Sequence, residues 1–323
     1  MTWPLFSRRF VFSGLAFVAG LSATSGRAFA AYLFTDVSNP NDTAFTQLLG
    51  INNSSTIAGY WGDGTVVPNH GFTLTLPNSF TPENFPGAVQ TQVVGINDNG
   101  DTAGFYIDTA GNTHGFTKIG GTFATVDDPA SPTFNQLLGI NNAGEAAGYY
   151  QLGSGMSITQ FAYTAMGGTF TSLASFLPMG TTISQATDVN NAGIVSGFFG
   201  SSGFLLNAGV LTTVNFPGAM STQALGLNNK GDVVGDFVDS MGVMHGFVFD
   251  GTNYTEVDAP NSTSTTINGI NDKGQIVGFF TDANQNTIGF VGDPIPEPVS
   301  FVLTALGLLS IGLLRKRRDT RGV

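Results

Sequence analysis

Short segments of alternating apolar and polar residues, separated by glycine-containing turns, make up most of the chain. The region from 221 to 258 is representative, with such segments at residues 221–228, 233–238, 244–249 and 253–258. Gly231 and Gly251 stand in turns, where glycine accommodates a positive φ, and Pro260 follows the last segment. Because alternation with a period of two is typical of β-strands, this region is predicted to form four consecutive antiparallel strands.

This four-strand pattern occurs six times along the chain. Each copy opens with a block of the type Gly-Ile-Asn-Asn, and a second glycine with aromatic neighbours follows nine residues later. The blocks begin 38 to 49 residues apart, a period typical of one four-stranded propeller blade. The first copy has Ser54-Ser55 where the other five have a turn glycine, which predicts a looser turn. The blocks start at Gly50, Gly95, Gly139, Asp188, Gly226 and Gly269.

The chain begins and ends out of phase with its repeat. Tyr32–Val37 matches the fourth strand of a copy, whereas the sixth copy stops after its third strand, near Val291. This arrangement predicts an all-β, six-bladed β-propeller over residues 31–293, closed by exchange of the N-terminal strand onto the last blade. An open solenoid would instead need capping repeats.

Composition and charge narrow the possible partners. The chain has 44 glycines, 28 phenylalanines and no cysteine, so disulfides and thiolate metal sites are excluded. Between residues 31 and 293 there is no arginine, and three lysines face 20 acidic residues. Such a body repels nucleic acid, and its charge favours solubility outside the cell.

Residues 1–30 have the pattern of an export signal. Arg8 and Arg9 precede an apolar stretch, and Ala28-Phe-Ala30 is a small-residue cleavage site. The paired arginines leave both the general secretory route and the twin-arginine route open, and Val11, where the twin-arginine motif prefers phenylalanine, favours the general route.

Residues 294–323 combine three features in order. Pro296-Glu297-Pro298 precedes an apolar run of sixteen residues, and Arg315-Lys316-Arg317-Arg318 follows it. The run is slightly short for a permanent transmembrane helix, and the basic cluster fits the cytoplasmic side. This tail resembles the PEP-CTERM sorting signal of Gram-negative bacteria. The resemblance implies an exosortase-type membrane protease as a partner, and passage from the inner membrane to the cell surface or beyond; a plain membrane anchor is the alternative.

The third strand of each copy carries a short motif, with His70-Gly-Phe72, His114-Gly-Phe116 and His245-Gly-Phe247 as its fullest forms. Together with the Gly-Ile-Asn block, it resembles the HAF family of extracellular repeats over residues 31–293. The resemblance implies an exported repeat protein without an established catalytic activity.

The candidate chemistry along the repeats is sparse. The three histidines occupy one repeat position, so they lie far apart around a ring and are expected to be packing residues. The acidic turns lack the spacing of calcium loops. No catalytic residue, metal site or cofactor is predicted.

A glutamine stands three residues before the opening position of five blocks, and the sixth copy has Thr266 there. If the first strand is innermost, these side chains form a ring near one mouth of the central channel. They either satisfy backbone groups between blades or bind a neutral polar ligand such as a glycan, or a cation. The five are Gln47, Gln92, Gln136, Gln185 and Gln223.

Two functions fit the sequence. The favoured one is an exported binding or structural component of the envelope or extracellular matrix, with extracellular polysaccharide as a possible partner. The alternative is a glycan-acting hydrolase or lyase, because propellers host such enzymes. Near-identical blades argue against the enzyme, since catalysis needs residues that break the symmetry.

Overall fold

A computed structural model describes residues 31–295, which form six four-stranded antiparallel sheets. Five sheets follow the chain. Blade 1 contains β2 (Thr46–Ile51), β3 (Thr56–Trp61), β4 (His70–Thr75) and β5 (Ser79–Pro82). Blade 2 contains β6 (Gln90–Ile96), β7 (Thr102–Ile107), β8 (Thr113–Ile119) and β9 (Thr122–Thr125). Blade 3 contains β10 (Asn135–Ile140), β11 (Ala146–Leu152), β12 (Thr159–Met166) and β13 (Thr169–Ser172).

Blades 4 to 6 repeat the arrangement. Blade 4 contains β14 (Ser184–Val189), β15 (Val195–Phe199), β16 (Ser202–Asn207) and β17 (Val210–Val214). Blade 5 contains β18 (Ser221–Leu227), β19 (Val233–Val238), β20 (Met244–Phe249) and β21 (Tyr254–Glu256). Blade 6 contains β22 (Ser264–Ile270), β23 (Ile276–Thr281) and β24 (Thr287–Pro294), and takes β1 (Tyr32–Val37) as its fourth strand. Two 3₁₀ turns, Gly155–Ser157 and Ala174–Phe176, lie in blade 3 and in the connection to blade 4.

The predicted six-bladed propeller and its closure by strand exchange are confirmed. β1 pairs with β24 from Tyr32↔Pro294 to Val37↔Gly289, and the sheet order is β1-β24-β23-β22. The predicted signal and transmembrane segments lie outside the described residues. Within residues 31–295, no helix is long and apolar enough to cross a membrane.

A β-bulge interrupts the pairing of the first two strands in every blade. In blade 1 the register passes from Leu48↔Gly59 to Gly50↔Ala58, so Leu49 is the extra residue. A bulge redirects the side chain of its extra residue. We call these six extra residues the bulge residues: Leu49, Val94, Leu138, Thr187, Leu225 and Asn268.

Glycine follows the bulge because neighbouring inner strands approach closely there. A Cβ added to Gly95 would lie 2.8 Å from the Cα of Gly139 in the next blade, closer than real Cβ contacts allow. In five blades the contact between blades, rather than the φ angle, therefore favours glycine at the opening position of the repeat block; blade 4 has Asp188 there.

The largest fully buried side chains of the core come from the third strands. Each contributes one fully buried aromatic ring, and the glycine of the adjacent second strand makes room for it: a Cβ on Gly59 would lie 3.0 Å from the Phe72 ring. The six rings are Phe72, Phe116, Tyr163, Phe204, Phe247 and Phe290.

The first asparagine of each repeat block joins its blade to the next one. Asn52 Nδ2 donates to the backbone oxygen of Asn97 at 3.0 Å, and the series continues around the propeller until Asn271 Nδ2 donates to the oxygen of Asn52 at 3.1 Å. The Oδ1 atom of the same side chain accepts two N–H groups of its own turn; for Asn52 these belong to Ser54 and Thr56. We call this closed set the asparagine ring: Asn52, Asn97, Asn141, Asn190, Asn228 and Asn271.

The prediction of a looser first turn was wrong. Ser55 adopts φ 63°, the left-handed conformation that glycine supplies in the other blades. The turn keeps the same hydrogen bond, from Asn52 N–H to the Thr56 oxygen at 3.0 Å. Two bonds to Asn52 Oδ1 therefore hold the turn without a glycine.

Deletion of Tyr32–Val37 is expected to destabilise the whole domain, because it removes the fourth strand of blade 6 and exposes the edge of β24. A matched control is deletion of residues 154–157, which leaves a two-residue connection between the paired Leu152 and Thr159. Thermal melts should show a large drop for the first variant and a small one for the second. Equal melting temperatures for the wild type and the first variant would contradict closure by β1.

Asn52→Asp tests the asparagine ring. The carboxylate keeps the acceptor for the turn but replaces the donor to Asn97 by an oxygen, so the free energy of unfolding should fall by about 1–3 kcal/mol. Denaturant titration should detect this loss, whereas Asn78→Asp, at an exposed turn residue, should change stability little. Similar small effects at both positions would refute the structural role of the ring.

Candidate functional site

A cavity of about 150 Å³ lies on the central axis, enclosed by the inner strands and the turns that follow them. The bulge residues line its interior, and the turn residues surround its mouth. Four turn residues at the mouth are exposed, so the cavity communicates with solvent there: Asp98, Asn142, Asn191 and Asn229.

The second residues of the six turns form another closed set of hydrogen bonds around this mouth. Asn53 N–H donates to Asp98 Oδ1 at 2.8 Å, and the series returns when Asp272 N–H donates to Asn53 Oδ1 at 2.8 Å. We call these six residues the mouth ring: Asn53, Asp98, Asn142, Asn191, Asn229 and Asp272.

The mouth ring is not symmetric, because two of its members are carboxylates. Asn53 Nδ2 donates to Asp98 Oδ2 at 3.0 Å and to Asp272 Oδ2 at 2.9 Å, so both acids flank one amide. Partial burial alone would raise the pKa of Asp272, but hydrogen bonds from Asn229 and Asn53 lower it below its usual value. The mouth therefore presents amides and carboxylates, groups that hydrogen-bond hydroxyls and disfavour anions.

Two bulge residues make the interior of the cavity polar on one side. The other four are leucine or valine, whereas blade 4 has Thr187 and blade 6 has Asn268. Thr187 Oγ1 donates to the Ala224 oxygen at 2.6 Å. Asn268 Oδ1 is a buried acceptor without a hydrogen-bond partner among the described residues. An unsatisfied buried acceptor costs free energy, so it is a specific place for a donor from a ligand or a water.

Asp188 places a carboxylate beside these groups, where the other five blades have glycine. Its Oδ1 accepts the N–H of Val189 at 2.8 Å, and its Oδ2 accepts the N–H of Leu227 at 3.2 Å. Burial raises the pKa of Asp188 to about 7 and outweighs these two hydrogen bonds. The residue therefore changes charge near neutral pH inside the cavity.

The five predicted glutamines lie near the start of the inner strands, and none of them lines the cavity. Within their blades, Gln47 and Gln136 accept hydrogen bonds from the hydroxyls of Tyr60 and Tyr149, at 2.7 and 2.8 Å. Two others bond to the preceding blade: Gln92 donates to Asn69 Oδ1 at 2.7 Å, and Gln185 donates to Gln160 Oε1 at 2.9 Å.

Opposite Gln223, blade 5 has Asp236, whereas the other blades have an aromatic residue at this position. Asp236 is 5% exposed, and its Oδ2 lies 3.5 Å from Thr266 Oγ1 in the next blade. Burial raises the pKa of Asp236 to about 7. Neither Asp188 nor Asp236 is among the functional candidates predicted from the sequence. The available signal was that each breaks the repeat at a position otherwise held by glycine or an aromatic ring.

Each of the three histidines stacks on an aromatic ring of the second strand: Trp61, Tyr106 and Phe237. Two of them also contact aspartates. His114 Nδ1 lies 2.6 Å from Asp127 Oδ2, and His245 Nδ1 lies 2.7 Å from Asp258 Oδ2. Partial burial lowers their pKa values, but the aspartates outweigh it and raise both above the usual value for histidine.

Comparisons with known proteins show the fold and nothing more specific. No protein-family model matches the sequence, and no curated protein matches it. A mutant of Aleuria aurantia lectin in complex with Fucalpha1-6GlcNAc has a TM-score of 0.50 at 11% identity, covering 80% of this chain and 100% of that one.

Two further solved structures have lower TM-scores. A mutant of AofleA from Arthrobotrys oligospora has a TM-score of 0.48 at 11% identity, covering 83% of this chain and 91% of that one. The Hadza microbial sialidase has a TM-score of 0.48 at 11% identity, covering 77% of this chain and 65% of that one.

Stability should fall as the pH rises from about 4 to about 7, through Asp188 and Asp236. Both have pKa values raised in the folded state, so the folded protein holds more protons than the unfolded chain in this range, and ionisation at higher pH opposes folding. Asp236→Asn cannot ionise, so it should exceed the wild type in stability at pH 8 by on the order of 2–4 kcal/mol and match it near pH 4.

Asp63→Asn is the control of opposite sign for this experiment. Backbone N–H groups of Val67 and Thr65 lower the pKa of exposed Asp63 to about 2, so its charge favours the folded state above about pH 4. This control should gain nothing at pH 8. Denaturant titrations across the pH range measure both effects, and a constant difference between Asp236→Asn and the wild type at all pH values would contradict the assignment.

Proposed function

We propose that the protein is an exported, non-catalytic binding propeller that holds a neutral, hydroxyl-rich ligand, the end of a glycan chain, in its central cavity. The observation that carries this proposal is the unpartnered, buried Oδ1 of Asn268, a residue that lines a solvent-connected cavity edged by amides and carboxylates. Sugar hydroxyls donate and accept hydrogen bonds, so they fit a site of this composition.

The size and charge of the cavity restrict the class of ligand that it can hold. A cavity of about 150 Å³ is small compared with pockets for drug-sized molecules, and it suits one sugar residue rather than an oligosaccharide. The described residues contain no arginine, and the acids at the mouth disfavour phosphorylated or sulfated ligands. The remainder of a glycan chain would extend from the mouth ring into solvent.

The fold likeness makes glycans reasonable first probes. The Aleuria aurantia lectin mutant is in complex with Fucalpha1-6GlcNAc. At 11% identity this supports the choice of probe and does not specify a sugar.

The location proposed for this binding activity rests on the two ends of the sequence. The export pattern of residues 1–30 and the PEP-CTERM-like tail of residues 294–323 would send the propeller through the inner membrane, with an exosortase-type protease acting at Pro296-Glu297-Pro298. An acidic, cysteine-free body is suited to the cell surface or to an extracellular polysaccharide matrix.

A non-catalytic role is favoured over the glycan-acting enzyme by how the glutamates are used. Glu83 is 3% exposed and forms an ion pair with Lys118 at 2.7 Å. Glu145 Oε2 accepts a hydrogen bond from Asn141 Nδ2, a member of the asparagine ring. A glycosidase needs a pair of carboxyl groups on either side of the scissile bond, and neither of these glutamates lines the cavity. The carboxyl groups of the cavity are Asp188 in its interior and Asp98 and Asp272 at its mouth, and the last two are hydrogen-bonded to Asn53.

Two consensus variants test the cavity. Asn268→Leu installs the residue found at three other bulges, and Asp188→Gly installs the residue found in five blades. Each removes a polar group that the fold does not require, so stability should hold or rise while glycan binding weakens at least about tenfold, the worth of one good hydrogen bond. A glycan array on the wild type selects the oligosaccharide, and calorimetry then measures its affinity for each variant.

The matched control is Gln92→Ala combined with Gln136→Ala at the other end of the inner strands. If this double variant loses binding while both cavity variants retain it, the ligand lies at the glutamines instead. Absence of any glycan signal for the wild type would refute the binding function. Release of reducing ends from a bound oligosaccharide would refute its non-catalytic character.

A further inference from the structure

A histidine and two carboxylates converge on one edge of blade 5, away from the central cavity. His245 lies at the start of β20, Glu256 ends β21, and Asp258 follows two residues later in the connection to blade 6. One ring nitrogen and one oxygen from each carboxylate lie within 4.8 Å of one another. The individual distances from His245 Nδ1 are 2.7 Å to Asp258 Oδ2 and 3.8 Å to Glu256 Oε1.

The blade holds two of these three groups in place. The Gly246 N–H donates to Asp258 Oδ1 at 3.1 Å, which leaves Oδ2 directed at the histidine. The Phe237 ring stacks on the imidazole at 5.3 Å between centroids and fixes its plane. Glu256 is the least enclosed of the three, since its side chain is 54% exposed, which leaves room for it to turn towards the other two.

Blade 2 has the same histidine–aspartate arrangement, but it lacks a residue equivalent to Glu256. The Gly115 N–H donates to Asp127 Oδ1 at 3.1 Å, and His114 Nδ1 lies 2.6 Å from Asp127 Oδ2. Thr125 pairs with Phe116 there, as Glu256 pairs with Phe247 in blade 5. Among the described residues, the three-ligand cluster occurs in blade 5 alone.

We propose that His245, Glu256 and Asp258 bind a Zn²⁺ ion. One imidazole nitrogen with two carboxylate oxygens is a zinc-type ligand set, since imidazole selects zinc over calcium and magnesium. Ligand atoms lie about 2 Å from zinc, so those on one ion are at most roughly 4 Å apart, and a small rotation of Glu256 closes the present spread.

The charges in this region favour a cation. Glu256 and Asp258 together balance a divalent ion, and Asp239 Oδ2 adds a further carboxylate 3.7 Å from His245 Nε2. Binding through Nδ1 requires the neutral imidazole as ligand, so the proton between Nδ1 and Asp258 leaves to solvent as the metal enters. Waters complete the coordination, because the cluster is at the surface.

Calorimetric titration of the whole chain with ZnCl₂ tests the site, using protein purified without a polyhistidine tag and freed of metal with a chelator. One equivalent of zinc should bind, and its heat should change with the ionisation enthalpy of the buffer because a proton is released. Glu256→Thr, which installs the blade 2 residue, should weaken binding at least about tenfold while leaving the metal-free melt unchanged. His245→Gln should abolish binding.

The matched control is His114→Gln in blade 2, which should bind zinc as the wild type does. Three results with zinc would overturn the proposal. These are no zinc heat for the wild type, equal losses in His114→Gln and His245→Gln, or an unchanged affinity in Glu256→Thr. Equally tight binding of CaCl₂ would also overturn it, since that result would assign the ion to the acidic groups without the histidine.

Discussion

The asparagine ring is the interaction on which the propeller depends. A primary amide donates and accepts at once, so one side chain holds its own turn through Oδ1 and reaches the next blade through Nδ2. Aspartate has no donor and serine is too short, which explains why asparagine occupies this place in all six copies. All six bonds run in the same direction around the axis, so each blade is held by its predecessor and the last one holds the first.

Contacts between blades distinguish the residues that stabilise the fold from the residues whose identity the fold restricts less. The asparagines, the inner-strand glycines and the third-strand aromatics are constrained by contacts between blades. The bulge residues are less constrained, because they line the cavity on the axis. Thr187 is the member whose hydroxyl also bonds to the next blade, at the Ala224 oxygen. Three departures from the repeat lie in and beside this cavity, at Thr187, Asp188 and Asn268, and they make its interior polar.

The fold could be predicted from the sequence because the six copies of the repeat can be aligned with one another. The strand order, the number of blades and the exchange of β1 all follow from the number of repeats and from the point within the repeat at which the propeller begins and ends. The cavity could not be predicted in the same way. Simple alternation assigns each strand residue to one face, but a bulge advances the register by one position just before the opening residue of each block, and this advance brings Asn268 and Thr187 into the channel. The hydrogen bond from Tyr60 to Gln47 was equally hidden, since it depends on side-chain reach rather than on pattern.

The exchange of β1 also determines how the propeller responds to tension. The Ile295 N–H donates to the Ala31 oxygen at 2.9 Å, so the chain enters and leaves the propeller at the same point on the outer edge of blade 6. β1 and β24 are antiparallel, with the pair Tyr32↔Pro294 nearest to that point. A force that separates Ala31 from Ile295 therefore breaks the hydrogen-bonded pairs of β1 and β24 one after another, in unzipping geometry. It does not shear all of these hydrogen bonds together. Opening would begin at the pairing of β1 with β24, and force would reach the five other blades only after β1 had separated from β24.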